Sequence, residues 1–306
     1  MNAAIQTAIV DTLGASRAAA AVGQSPWQTP YQLYLEMLGQ LPANDPNAED
    51  PLYLEMGEVL EPVAIRRLEK RLKVKVTDRQ LKVIDPSWPR RHVTMDGRIN
   101  DEEYVEAKST GFADPAEWGD EEEEDAVPMQ YYLQCQHGMA CNGCIYAWMP
   151  LIVTNRQFRI YRVRRNDAVI ESLTAREREF MARVDAREPP PMTSLDDVKI
   201  RWPSHVEHRR VTATSEIARL VRRHARNRRL LKAAESRRDA LQLAIATFMA
   251  ESAELVDVAG ESLATFKQAK SSKKFNEAQF ALDNPQVYAR YLKDVPGSRR
   301  FLNKVK

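Results

Sequence analysis

The stretch Val93-Thr94-Met95-Asp96-Gly97-Arg98-Ile99-Asn100-Asp101-Glu102-Glu103-Tyr104-Val105-Glu106-Ala107-Lys108-Ser109 decides the fold. It predicts two strands, Val93–Ile99 and Tyr104–Ser109, joined by a turn at Asn100–Glu103. Side chains alternate faces along a strand, so Glu106 and Lys108 share one face while Val105 and Ala107 point the other way, toward a core. With matching register, Asp96 stands across from them. Two carboxylates and one ammonium then share a cluster. Carboxylates are hard oxygen ligands suited to Mg2+ or Mn2+. A metal there would acidify a water and neutralise charge building on a phosphate, and a lysine would position that water or stabilise the transition state. In a chain with 29% charged residues, an exposed, salt-bridged strand face satisfies the same spacing.

Upstream, residues 15–39 read as two short helices around Gln24-Ser25-Pro26-Trp27. Ser16 is the expected N-cap of Arg17–Val22. Thr29 is the expected cap of Tyr31–Leu38, with Pro30 at the first helical position. Residues 40–53 read as a loop, and Met56–Leu72 as a helix with Leu60, Val63, Ala64, Leu68 and Leu72 on its apolar face. Downstream come an acidic loop around Asp120–Asp125 and a helix over Pro128–Ala140. Strands at Ile145–Val153 and Gln157–Arg164 and a polar helix at 174–187 follow. Pro189-Pro190-Pro191 marks a domain boundary, giving domains 1–190 and 191–306.

Charge divides the chain at the same place. Residues 1–190 hold 22 Lys and Arg against 30 Asp and Glu; residues 191–306 hold 23 against 13. The basic half suits a polyanion partner. Its Thr214–Ala250 segment reads as one long helix or a helix hairpin. Its arginines, Arg222 and Arg226 among them, form either a DNA-facing surface or a solvated coiled-coil face. A small hairpin at Leu255–Val258 and Leu263–Lys267 and a basic tail with spaced aromatics complete it. The apolar runs are too short for a membrane span, and Met1–Leu13 lacks the pattern of a secretion signal. Three cysteines do not form a closed set of pairs, so a reducing cytoplasm is the expected compartment. Cys135, Cys141 and Cys144 fall one short of the four thiolates of an iron–sulfur cluster and read as buried. His137 reads as structural or DNA-proximal.

An ordered set of motifs extends beyond the hairpin: Gly14-Ala15-Ser16 with Ser25-Pro26-Trp27-Gln28-Thr29-Pro30, then Gly57-x-x-Leu60-Glu61-Pro62, Met95-Asp96-Gly97, Glu106-Ala107-Lys108 and Tyr131-x-x-Gln134-x-Gln136-His137, closing on Phe158-Arg159-Ile160-Tyr161-Arg162-Val163. In this order and spacing the chain resembles the YqaJ-like viral recombinases, relatives of lambda exonuclease within the PD-(D/E)XK nuclease superfamily, over roughly residues 12–185. The resemblance implies an α/β (α+β) fold with a restriction-endonuclease-like core, a mixed central sheet flanked by helices, followed here by a mainly helical C-terminal region. It implies a 5′-to-3′ exonuclease on linear duplex DNA ends, leaving 3′ overhangs. It also implies a toroidal homotrimer and a single-strand annealing protein as partner.

Residue by residue, the resemblance makes Asp96, Glu106 and the Ala107 carbonyl the ligands of the family's metals, two Mg2+ per site with Mn2+ able to substitute. Lys108 becomes the catalytic lysine and Glu61 a further carboxylate near the metals. Tyr131 and Gln134, one helical turn apart, orient the scissile phosphate or the lysine, and Ser16 contacts phosphate near the site. Gln136 reads as DNA-proximal, and Trp27 as packing or as a wedge between strands. The chain departs from the pattern in two places. Met95 stands where the superfamily's proline would be. Ile9, Val10 and Asp11 stand where relatives carry an arginine for the 5′ phosphate, leaving Arg17 as substitute. An endonuclease or structure-specific nuclease on the same fold, or a non-catalytic DNA-binding or annealing module, are the rival readings.

Overall fold

The computed structural model describes residues 11–41, 52–111, 114, 117–153, 157–292, 297 and 299–305. In chain order its first unit contains β1 (Leu13–Gly14), a 3-10 turn (Ala15–Arg17), α1 (Ala18–Ala21), α2 (Pro30–Met37) and α3 (Leu52–Leu72). Then come β2 (Leu81–Ile84), β3 (Arg91–Met95), β4 (Gly97–Asn100), β5 (Glu103–Val105) and β6 (Lys108–Thr110). The unit closes with α4 (Met129–Asn142), β7 (Tyr146–Val153), β8 (Gln157–Arg164), α5 (Asp167–Ala186) and α6 (Leu195–Arg201). This is a mixed α/β (α+β) architecture.

The stretch expected as two continuous strands is cut at Asp96 and again at Glu106. After Met95 the chain leaves the sheet β1-β3-β2 and, past Asp96, enters the larger sheet through β4. Gly97 permits the crossing: a Cβ there would lie 2.2 Å from Val76 Cγ1. The second cut has a different cause. Strands β5 and β6 run along β7 in parallel with one unbroken register, Val105 opposite Trp148 and Lys108 opposite Leu151. The Glu106 N–H donates to the Trp148 carbonyl at 2.9 Å. The next parallel bond would run from the N–H of residue 150 to the Glu106 carbonyl, but Pro150 has no N–H to give. The ladder therefore opens at Glu106-Ala107.

Strand β7, with Ala147, Met149 and Leu151 fully buried, also pairs antiparallel with β8 along its whole length. Alternation along β5 sends Tyr104 to the α4 side and Val105 to the α3 side, where it packs with Ile65 and Leu68. Gly138 lets α4 sit close on the sheet, since a Cβ there would lie 2.5 Å from the Tyr104 hydroxyl. Helix α2 begins at a capping box between Thr29 and Gln32 with Pro30 in its first turn. Ser16, expected as an N-cap, caps nothing: it lies inside the 3-10 turn.

The chain divides into two compact units, Met1–Arg201 and Trp202–Lys306. The division falls past α6 rather than at the triple proline, because Asp197 is buried and accepts from Thr29 Oγ1 at 2.8 Å and from the N–H groups of Thr193 and Ser194. The second unit is built on α7 (Ser215–Met249), one uninterrupted helix capped by Thr214. The strands β9 (Glu254–Val256) and β10 (Ser262–Thr265) form an antiparallel hairpin, followed by α8 (Glu277–Asp283) and α9 (Pro285–Arg290). Among the described residues, no helix is long and apolar enough to cross a membrane.

Candidate active site

Both strand breaks deliver their carboxylates to one cavity of about 650 Å3, lined by Ser16, Glu61, Gln80, Asp96, Glu106, Ala107, Lys108 and Gln134 among others. The breaks are bonded to each other: the Ala107 N–H donates to Asp96 Oδ2 at 2.7 Å. Glu106 Oε1 accepts from Lys108 Nζ at 2.7 Å and from Gln134 Nε2 at 2.6 Å. Glu106 Oε2 is buried without a hydrogen-bond partner. Burial first, and then the neighbouring charges of Glu106 and Glu61, push Asp96 up to about 8, against the pull of Lys108 and the Ala107 N–H. Burial works against the charged form of Lys108, yet Glu106 and Asp96 outweigh it and hold the ammonium above its ordinary range.

The chemistry of this donor set fits a hard divalent cation at Asp96 and Glu106. One anionic oxygen is buried unpartnered, and the adjacent carboxylate resists ionisation until positive charge arrives. Glu61 is otherwise engaged. Its Oε1 accepts from Gln80 Nε2 at 2.8 Å and faces Arg79 Nη2 at 3.8 Å. Among the described residues, no three His, Cys, Asp or Glu side chains stand together as a metal-holding group.

Sequence reading missed the Arg79-Gln80 turn. Arg79 Nε donates to the Asp96 carbonyl at 2.9 Å, and Gln80 Nε2 lies 3.5 Å from Asp96 Oδ1. Asp78 and Gln80 both have left-handed backbones, φ 48° and 55°, which nothing in their residue types announces.

Tyr131 presents its ring, rather than its hydroxyl, to Lys108, with Nζ 5.5 Å from the ring centroid. Trp27, 68% exposed, leans on Tyr131 at 5.9 Å, and Trp118 packs against the same ring at 5.5 Å. An aromatic wall thus runs from Lys108 to solvent. Of the expected phosphate contacts Gln136 is corrected, while Arg17 pairs with Glu36, Nη2 to Oε1 at 2.5 Å. Gln136 is fully buried, its Nε2 donating to the Arg164 carbonyl and its Oε1 accepting from the Asn166 N–H, so it fastens β8 to α5. His137 is buried between Glu177 Oε1, 2.7 Å away, and the His92 carbonyl, 3.0 Å away. The three cysteines are free and buried. Arg222 and Arg226 lie exposed on α7 in the second unit.

Residues 8–145 match the family model of the YqaJ-like viral recombinase domain. The protein YqaJ of Bacillus subtilis (strain 168) is 28% identical over 171 residues, 55% of this chain and 51% of YqaJ, so the chain spans about half the length of that curated relative. An alkaline exonuclease (LHK-Exo) from Laribacter hongkongensis is 21% identical, with 59% of this chain and 91% of that chain covered and a TM-score of 0.44. A phage related exonuclease from Haemophilus somnus 129PT is 13% identical, with 57% and 94% covered and a TM-score of 0.42.

Proposed function

From a chain whose residues 8–145 carry a YqaJ-like viral recombinase domain, we propose a Mg2+-dependent 5′-to-3′ exonuclease of a phage or mobile-element recombination system. It resects linear duplex DNA to 3′ overhangs in the bacterial cytoplasm, works with a single-strand annealing protein, and assembles as a trimer around its substrate. The observation that carries this reading is the unpartnered, buried Glu106 Oε2 beside Asp96 and Lys108 in an open cavity.

Asp96 and Glu106 would hold the cation, with the Ala107 carbonyl and Glu61 as further ligands in a PD-(D/E)XK arrangement. Bound there, Mg2+ would supply Lewis acidity toward phosphate and lower the pKa of a water. The protein's own groups do the rest. Lys108 stays cationic, so its part is a fixed positive charge beside the phosphate rather than a proton acceptor. Gln134 keeps Glu106 aimed by holding Oε1 with Lys108. Tyr131 covers Lys108 and Trp27 meets the entering end. Water adds to the phosphorus as it gives up a proton to solvent, the P–O3′ bond breaks, the departing 3′ oxygen takes up a proton, and a mononucleotide leaves.

The test uses purified protein and linear duplex carrying 5′ phosphates, with and without Mg2+. Wild type is expected to degrade it only with Mg2+, and Lys108→Ala to leave it intact. Intact DNA in both cases removes the nuclease reading. Closed circular DNA cut as fast as linear DNA replaces exonuclease with endonuclease.

A further inference from the structure

Helix α7 carries an arginine face whose opposite side is partly occupied. Residues 301–303 lie along its first half. Asn303 Nδ2 donates to the Val221 carbonyl at 2.8 Å, Arg228 Nη1 donates to the Asn303 carbonyl at 3.2 Å, and Phe301 meets the His224 ring edge-on at 5.2 Å. At about 100° per residue, Val221, His224 and Arg228 mark one side of the helix. Arg219, Arg222, Arg223, Arg226 and Arg229 fall within an arc of about 120° on the far side. All five are exposed. No carboxylate interrupts α7 from Ala218 to Ala234, and no ion pair among the described residues involves any of the five.

We propose that this face is a second nucleic-acid surface, separate from the cavity of the first unit, that grips the phosphate backbone of duplex DNA without reading its sequence. Like charges one turn apart repel, and an anionic surface cancels that repulsion. Arg219 to Arg229 rises about 15 Å, matching about four phosphates of one strand at about 3.4 Å of axis each. Single-strand binding uses aromatic stacking platforms, and no Phe, Tyr or Trp lies between Arg219 and Arg229. A membrane-surface helix needs an apolar face opposite its charges, whereas here that side also carries the polar His224 and the cationic Arg228.

The experiment uses the full chain in EDTA with a fluorescent duplex of about 30 base pairs, read by anisotropy between about 50 and 200 mM KCl. The variant is R219Q/R222Q/R223Q/R226Q, with glutamine chosen for its helix propensity. Each lost phosphate contact lowers the slope of log K against log salt by about 0.9, so the slope falls by about 3 to 4. About 100-fold of the salt sensitivity over this range should vanish. Arg183→Gln, which removes a surface arginine of the first unit outside the cavity, is expected to keep the wild-type slope, and binding is read in EDTA without cleavage, so failure of this surface and failure of the nuclease reading remain distinguishable. Circular dichroism checks the helix; if the quadruple variant unfolds, R219Q/R223Q replaces it with a slope change of about 2. An unchanged slope overturns the proposal. So does a variant whose DNA binding is intact while its oligomer mass, or its binding to vesicles containing phosphatidylserine, falls.

Discussion

Helix α4 stands between two charged clusters that differ in completeness. Gln134 reaches the cavity with Asp96, Glu106 and Lys108. One turn on, His137 reaches a sealed cluster of Asp85, Arg91 and Glu177. In the sealed cluster Arg91 Nη2 meets Asp85 Oδ2 at 2.5 Å, Nη1 meets Glu177 Oε2 at 3.3 Å, and Nη1 also donates to Thr174 Oγ1. Both His137 nitrogens face oxygens, Glu177 Oε1 and the His92 carbonyl. Arg91 bridges Asp85 and Glu177, and all four residues are at most 3% exposed. The open cluster has more carboxylates than cations and a buried oxygen with no partner. A satisfied buried network holds the fold; an unsatisfied one facing a cavity is arranged for a visitor.

The largest expected effect lies in the sealed cluster. Arg91→Met strands Asp85 and Glu177 without their cation and should cost about 3–5 kcal/mol, read by urea unfolding. Arg71→Met, which breaks the half-exposed pair with Glu121, should cost less than about 1 kcal/mol. Similar losses from the two variants would erase the distinction between sealed and exposed pairs.

The second prediction moves to the cavity and reverses the readout. Glu106→Gln should reduce DNA cleavage by about 10²–10³-fold or more, the scale for one transition-state group, while its unfolding free energy shifts by less than that of Arg91→Met. A Glu106→Gln protein as unstable as Arg91→Met would place Glu106 with the structural network.

The two clusters were unequally legible in the sequence. Asp96, Glu106 and Lys108 were readable because strand alternation fixes which side chains share a face, and the structure sends Glu106 and Lys108 to the α4 side together. The strand breaks that open the site were not. One depends on Pro150, far along the chain, whose missing N–H matters only once β7 lies beside Glu106. The Arg79-Gln80 contacts depend on left-handed backbone at residues of ordinary type. The sealed cluster draws Asp85, Arg91, His137 and Glu177 from separate segments, so no spacing rule connects them. Arg17 and Gln136 were assigned to phosphate because they adjoin motifs, but nearness in sequence did not fix direction: one turns to Glu36, the other into the core.

The smallest effect tests the open cluster without any catalysis. Asp96 is raised to about 8 in the folded chain, against about 3.9 for an unfolded aspartate. Above about pH 4 the unfolded carboxyl ionises freely while the folded one resists, so Asp96 erodes metal-free stability progressively until about pH 8, beyond which the loss is constant. Asp96→Asn removes that cost. In EDTA it should therefore be more stable than wild type by about 1–3 kcal/mol at pH 8, the scale of a buried unsatisfied group, and the difference should shrink toward pH 4. Mg2+ should then reverse the order. A ligand at 100 times its Kd stabilises by about 2.7 kcal/mol, a gain open to wild type and largely denied to the variant. Thermal unfolding at several pH values, with EDTA or Mg2+, reads both effects. A variant no more stable than wild type in EDTA would show that Asp96 carries no stored repulsion. A variant stabilised equally by Mg2+ would place the cation elsewhere.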